Sequence, residues 1–233
     1  MIKRKKIICL IPAKEHSTGL KNKNILPLNK KPVIFWTFKA AKESKYIDNI
    51  MVSTDSKYIF NLSKKNKLYV PFLRPRKLAT FKSSIFDVIV HAKKYFDKIK
   101  KYDLLILLQP TSPFRTSTHI DSALKKFVNN SKKDKKKLVS VYEVEKKFNW
   151  MYTKKNNKFL QTVSKKNKKT KNRQDANNLY MPNGAIFIYD LKNFKNNFFL
   201  DKVLFFLMDK KTSIDIDTKQ DYKLSKLYSK TLK

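Results

Sequence analysis

Short, nearly unbroken apolar runs alternate along the chain with stretches in which apolar side chains recur every three or four positions. The runs lie at Ile7–Ile11, Ile50–Ser53, Leu104–Leu108, Leu138–Val141 and Ala185–Tyr189. Segments of helical period lie between them at Val33–Glu43, Lys57–Lys65, Ser83–Lys98 and Thr118–Val128, and Asp217–Tyr228 reads as a closing helix. A strand apolar at successive positions has both faces covered, and the intervening helices supply the cover. The spacing therefore predicts βαβ units and a doubly wound, Rossmann-like α/β fold with a mostly parallel sheet. Asp55 or Ser56 is placed to cap the second helix, Ser117 or Thr118 a later one, and Asp217 the last. The rhythm breaks between Glu143 and Tyr180, a Lys/Asn-rich stretch with Trp150, Met151 and Tyr152 early and a polar run at Ser164–Asn172. It is expected to be an excursion, 143–180, from a single domain spanning 1–233.

Composition narrows the picture. A chain of 233 residues can bury a full core. No stretch approaches the roughly 20 apolar residues of a membrane span. The basic start, Met1–Lys6, is followed by too short an apolar run for a signal peptide, so a cytoplasmic protein is expected. Cys9 is the single cysteine, within an apolar run, which leaves no disulfide or cysteine-zinc framework. The net charge of +36 raises nucleic acid as a partner. The excess, however, is 49 Lys against 5 Arg, and base readout favours the arginine fork. A lysine-rich solvated surface fits better, and its field would draw in small anions. With only two glycines in the chain, Gly19 and Gly184 mark places where a Cβ is not tolerated.

In an open α/β sheet, ligands bind beyond the carboxyl ends of the strands. The first run leads into Pro12–Asn24, where Lys14, Ser17, Gly19 and Lys23 offer cations, a hydroxyl and backbone N–H groups of the kind that surround phosphates. It has too few glycines for a Walker A or dinucleotide loop, and by itself is also compatible with a plain lysine-rich turn. The second run leads into Ser53-Thr54-Asp55 and, further on, Arg74. The third leads into Gln109-Pro-Thr-Ser-Pro-Phe-Arg115, a stiff loop able to present Gln109 to a ligand or simply to join strand and helix. In Ser213–Asp217, alternate residues share a face, so Asp215 and Asp217 project together. Two such carboxylates suit Mg²⁺, which completes its shell with water and phosphate oxygens.

Taken in order, these segments resemble the acylneuraminate cytidylyltransferase family, the CMP-sugar synthetases. That family's opening loop, Ile-Pro-Ala-Arg-x-Gly-Ser-Lys-Gly-x-x-x-Lys-Asn, is matched by Ile11–Asn24. Further matches are Ser53–Asp55, Phe72–Ala79, Leu107–Arg115, Ser140–Glu145, Arg173–Asp175, Pro182–Ile186 and Ser213–Thr218. The resemblance implies a nucleotide-diphospho-sugar transferase type of fold and a homodimer formed through 143–180. It implies transfer of CMP from CTP to the anomeric hydroxyl of an acidic nine-carbon sugar, with release of pyrophosphate. By the same match, Lys14 and Lys23 neutralise the triphosphate beside Ser17, and Asn24, Arg74 and Ser84 surround the cytidine. Gln109, Arg173, Phe198 and Phe199 surround the sugar acid, and Asp215 and Asp217 hold Mg²⁺, with Lys14, Lys23 and Asp217 the catalytic set. The chain departs from the pattern at Lys14 (for Arg), His16 (for Gly), Thr18 (for a basic residue), Phe81 (for Asp) and Met181 (for Arg). The Met181 departure leaves open which nonulosonic acid is used. Transfer to the eight-carbon acid Kdo, a nucleotide-binding homologue without turnover, and a basic nucleic-acid-binding protein are the alternatives.

Overall fold

Strand β1 (Ile7–Ala13) is the spine of the molecule: all its residues but Pro12 are buried. Its odd residues Ile7, Cys9 and Ile11 pack with one set of buried side chains, and its even residues Ile8 and Leu10 pack with another. The strand is thus a two-sided core element, as its unbroken apolar pattern requires. The computed structural model describes residues 2, 4–16, 19–130, 137–155, 160–163, 176–194 and 203–232. Ser17, Thr18, Arg173, Phe198 and Phe199 lie outside them.

Beside β1 stand β4 (Asn49–Thr54) and β5 (Leu104–Leu107), both parallel to it. The sheet continues through β9 (Leu179–Asp190), β6 (Lys137–Val144) and β10 (Leu204–Leu207), in the order β10-β6-β9-β5-β1-β4. Strand β9 is antiparallel to both neighbours, and β10 pairs parallel with β6. Helices α1 (Val33–Lys42), α2 (Lys57–Lys65) and α4 (Ser117–Asn130) send Ile34, Phe38, Ile59, Ile120 and Leu124 to one face. Helix α3 (Ile85–Ile99) covers the other with Ile89, Ala92 and Phe96. The doubly wound, mostly parallel sheet is therefore present. Among the described residues, no helix is long and apolar enough to cross a membrane. Burial pushes the Cys9 thiol up to about 12, which fits a core cysteine.

Three capping expectations change. Ser56 does precede α2, but its hydroxyl donates to Glu15 Oε1 (3.3 Å) instead of capping. Helix α4 is capped by Thr116, whose Oγ1 accepts from the backbone N–H of His119 (3.3 Å). Likewise Thr218, not Asp217, caps α5 (Lys219–Tyr228), in a capping box with Asp221. Asp217 is thereby left for other work. A short hairpin joins β2 (Pro27–Leu28) to β3 (Lys31–Pro32) through Asn29 and Lys30, both at positive φ, as a two-residue turn of the type that matches strand twist.

Beyond β5, β6 and β9 run on as a two-stranded ribbon, Tyr142–Val144 against Leu179–Met181. This ribbon carries the paired strands β7 (Tyr152–Lys154) and β8 (Leu160–Thr162). Met151, Tyr152, Val163, Tyr180 and Met181 are exposed there.

Candidate active site

Strand β1 has β4 on one side and β5 on the other, so the winding reverses at β1 and leaves a crevice beyond the carboxyl ends. A cleft of about 200 Å³ opens at that place, between the loops that leave β1 and β5. Lys14, Lys23, Asn24, Arg74 and Gln109 all line it, with Pro12, Ser83, Pro110 and Thr111. Five side chains singled out by sequence are brought together there across 95 positions of chain, from 14 to 109.

Each is held by its own device. Asn22, at φ 56°, turns the chain into a short 3-10 segment, Lys23–Ile25, that faces the cleft. Asn24 donates from Nδ2 to the carbonyl of Lys14 (2.9 Å), fastening the two ends of the loop together. Its buried Oδ1 has no partner among the described residues, an acceptor available to a ligand donor. Asp55 is the hub of the wall: its Oδ1 accepts from the backbone N–H of Glu15 and from Nη2 of Arg74, both at 3.1 Å. Burial lowers the basicity of Arg74, and the Asp55 carboxylate offsets part of that cost. Ser84 caps α3, accepting from the backbone N–H of Asp87 (3.1 Å), and its neighbour Ser83 lines the cleft.

The two carboxylates come from a segment near the end of the chain. Ile216 is buried and its N–H donates to the carbonyl of Thr111 (2.9 Å), which ties this extended segment to the β5 loop. Asp215 and Asp217 flank it. Lys23 forms an ion pair with Asp217. Burial pushes the Asp215 carboxyl above the usual carboxylate range; Asp217 and Asp221 add to the rise, while Thr111 and Lys23 oppose it. Its Oδ1 is buried without a partner among the described residues.

Both glycines are explained here. A Cβ on Gly19 would stand 2.4 Å from the Asp217 carbonyl oxygen, so the loop could not lie against the carboxylate segment. Gly184 has φ +71°, and a Cβ there would meet Gln109 Oε1 at 2.8 Å and Asp215 Oδ2 at 3.1 Å. It sits in an irregularity between Val139 and Val141 of β6, where residues 183–186 of β9, between the paired Pro182 and Phe187, loop out of the ladder. Asn183 pins that loop: its Oδ1 accepts from Ser140 Oγ (2.5 Å) and its Nδ2 donates to Ser213 Oγ (2.8 Å). The roles of Asp55 and Asn183 escape pattern reading because each acts through partners 40 and 43 positions away. The rarity of glycine was the signal that did point to this corner.

Of the remaining sequence expectations, Ser17, Arg173, Phe198 and Phe199 fall outside the described residues. His16 is exposed, as is Phe81. Among the described residues no three His, Cys, Asp or Glu side chains converge on a point. A divalent ion would rest on the two aspartates and on oxygens brought by a phosphate.

A family model described as cytidylyltransferase matches residues 8–232. The N-acylneuraminate cytidylyltransferase of Escherichia coli O18:K1:H7 is 36% identical over 95% of this chain and 52% of its own length. The chain thus spans about half the length of that relative. The CMP-N,N'-diacetyllegionaminic acid synthase of Legionella pneumophila is 32% identical over 94% of each chain. A solved CMP:2-keto-3-deoxy-manno-octonic acid synthetase, complexed with CTP, has a similar fold, with TM-score 0.73 and 16% identity over 97% of this chain and 100% of the other.

Proposed function

The chain belongs to the cytidylyltransferase family, and on that premise we propose that it transfers CMP from CTP to the anomeric hydroxyl of a nonulosonic acid, releasing pyrophosphate. The observation that carries this is the cleft at the sheet's switch point. It is lined by two lysines, a buried arginine, Gln109 and an amide oxygen without a partner among the described residues, and two aspartates adjoin it, Asp217 paired with Lys23 and Asp215 beside Gln109 at Gly184.

Transfer of a nucleotidyl group depends on alignment and on neutralising charge more than on covalent chemistry by the protein. Lys14 and Lys23 offset triphosphate charge, the first with a point charge in place of a fork. Asn24 and Arg74 bind the cytidine, with Ser84 acting through the α3 cap. Gln109 and Arg173 bind the sugar acid, a guanidinium being suited to its carboxylate, and Phe198 and Phe199 wall it. Asp215 and Asp217 fit Mg²⁺: both are hard oxygen donors, and the buried Asp215 Oδ1 has no other partner among the described residues. Bound there, Mg²⁺ supplies charge neutralisation on the phosphates and the leaving pyrophosphate. Lys23 pairs with Asp217. The exposed aromatic and methionine side chains of 143–180 support that excursion as the dimer contact of one domain.

The test is to incubate folded protein with CTP, Mg²⁺ and a panel of nonulosonic acids and Kdo, and to follow pyrophosphate. Release with a nonulosonic acid is expected, and Asp217→Ala should lower it about a hundredfold or more at ordinary Mg²⁺. CTP binding without turnover on any acid would point to a nucleotide-binding homologue, and preference for Kdo to the eight-carbon reading.

A further inference from the structure

Arg115 is the largest of the fully buried side chains, with 2% of its surface exposed, and no carboxylate forms an ion pair with it among the described residues. A buried guanidinium without an ion-pair partner is expensive, so its hydrogen bonds must repay it. They do so in one place. Nη1 donates to the carbonyls of Gln109 (3.1 Å) and Ala185 (2.9 Å), and Nη2 donates to Thr37 Oγ1 (2.7 Å). Thr37, fully buried in α1, lies in turn within 3.4 Å of the Gln109 carbonyl as a donor. Helix α1, the loop after β5 and the outlooped segment of β9 are therefore joined through one fork.

The two carbonyls belong to residues at the corner where Gly184 brings Gln109 and Asp215 together. The other side of the cleft is braced separately, by Asn24 on the Lys14 carbonyl and by Asp55 on Glu15 and Arg74. We infer that Arg115 and Thr37 are positioning residues for the acceptor-sugar side of the cleft: they set Gln109 and the Gly184 turn without touching substrate. Only a planar fork reaches all three acceptors at once; a lysine ammonium in the same space meets fewer of them. This rests on the proposed cytidylyl transfer, with Gln109 on the sugar side.

The test uses Thr37→Val, nearly isosteric but unable to accept from Nη2, with Thr37→Ser as the conservative control and Arg115→Lys as the second probe. KM for the sugar acid that wild type turns over should rise about tenfold in Thr37→Val and Arg115→Lys, with Thr37→Ser near wild type. KM for CTP, and CTP binding measured directly by calorimetry, should move less than about threefold. Thermal unfolding identifies a variant that does not fold, and the remaining one then decides. Equal changes in both KM values, or none in either, would overturn the placement and leave a framework role alone. No pyrophosphate release by wild type would instead overturn the proposed function, and this placement with it.

Discussion

At the scale of single residues, Gly184 shows how a backbone requirement becomes a functional one. Its positive φ costs an L-residue about 1–2 kcal/mol, and the space a methyl would need is taken by Gln109 and Asp215. Gly184→Ala should therefore lose about 1–2 kcal/mol of stability, read from denaturant midpoints. Its turnover should fall much further, by about a hundredfold, because both neighbours are displaced. A variant that loses stability alone would show the corner to be structural. Much of this was legible beforehand. In a chain with two glycines, each one had to be needed, and both meet the same short segment, Asp215–Asp217. Asp55 and Thr37 were not legible in the same way. Aspartate and threonine are common in this alphabet, and only the fold shows that one carboxylate oxygen holds both the β1 loop and Arg74.

At the scale of elements, apolar runs located β1, β4, β5, β6 and β9, and helical periods located α1 to α5 to within a few residues. Direction was not in the pattern. A fully buried strand reads the same way parallel or antiparallel, and β9 is set antiparallel by its neighbours. Strand β10 is four residues long and at the sheet's edge, too short for periodicity to separate from a loop. The first residue of β6 carries a cost that the pattern does not disclose. Lys137 is buried, with its ammonium 5.8 and 5.3 Å from the rings of Phe187 and Tyr189. Burial lowers its pKa from 10.5 to about 8. Between those values the unfolded chain holds more protons than the folded one, so stability rises with pH across the window. Relative to Lys137→Met, wild type should gain on the order of 2–3 kcal/mol from pH 8 to 10.5, seen in denaturation curves at each pH. Parallel curves for the two proteins would contradict it.

At the scale of the whole molecule, the +36 charge gave least guidance to function, because a lysine-rich surface suits nucleic acid and small anions alike. What decided was order: separate sequence blocks, each weak alone, converge in space on one cleft at the switch point of the sheet. That cleft takes its cations from the loop after β1 and the segment between α2 and α3, and a carboxylate from near the end of the chain pairs with one of them. The most direct measurement is mass spectrometry of the product formed from CTP, Mg²⁺ and each nonulosonic acid, with pyrophosphate quantified in the same reaction. A CMP-linked sugar acid equimolar with pyrophosphate is expected for at least one acid. CTP bound by folded protein with no such product from any of them would contradict it.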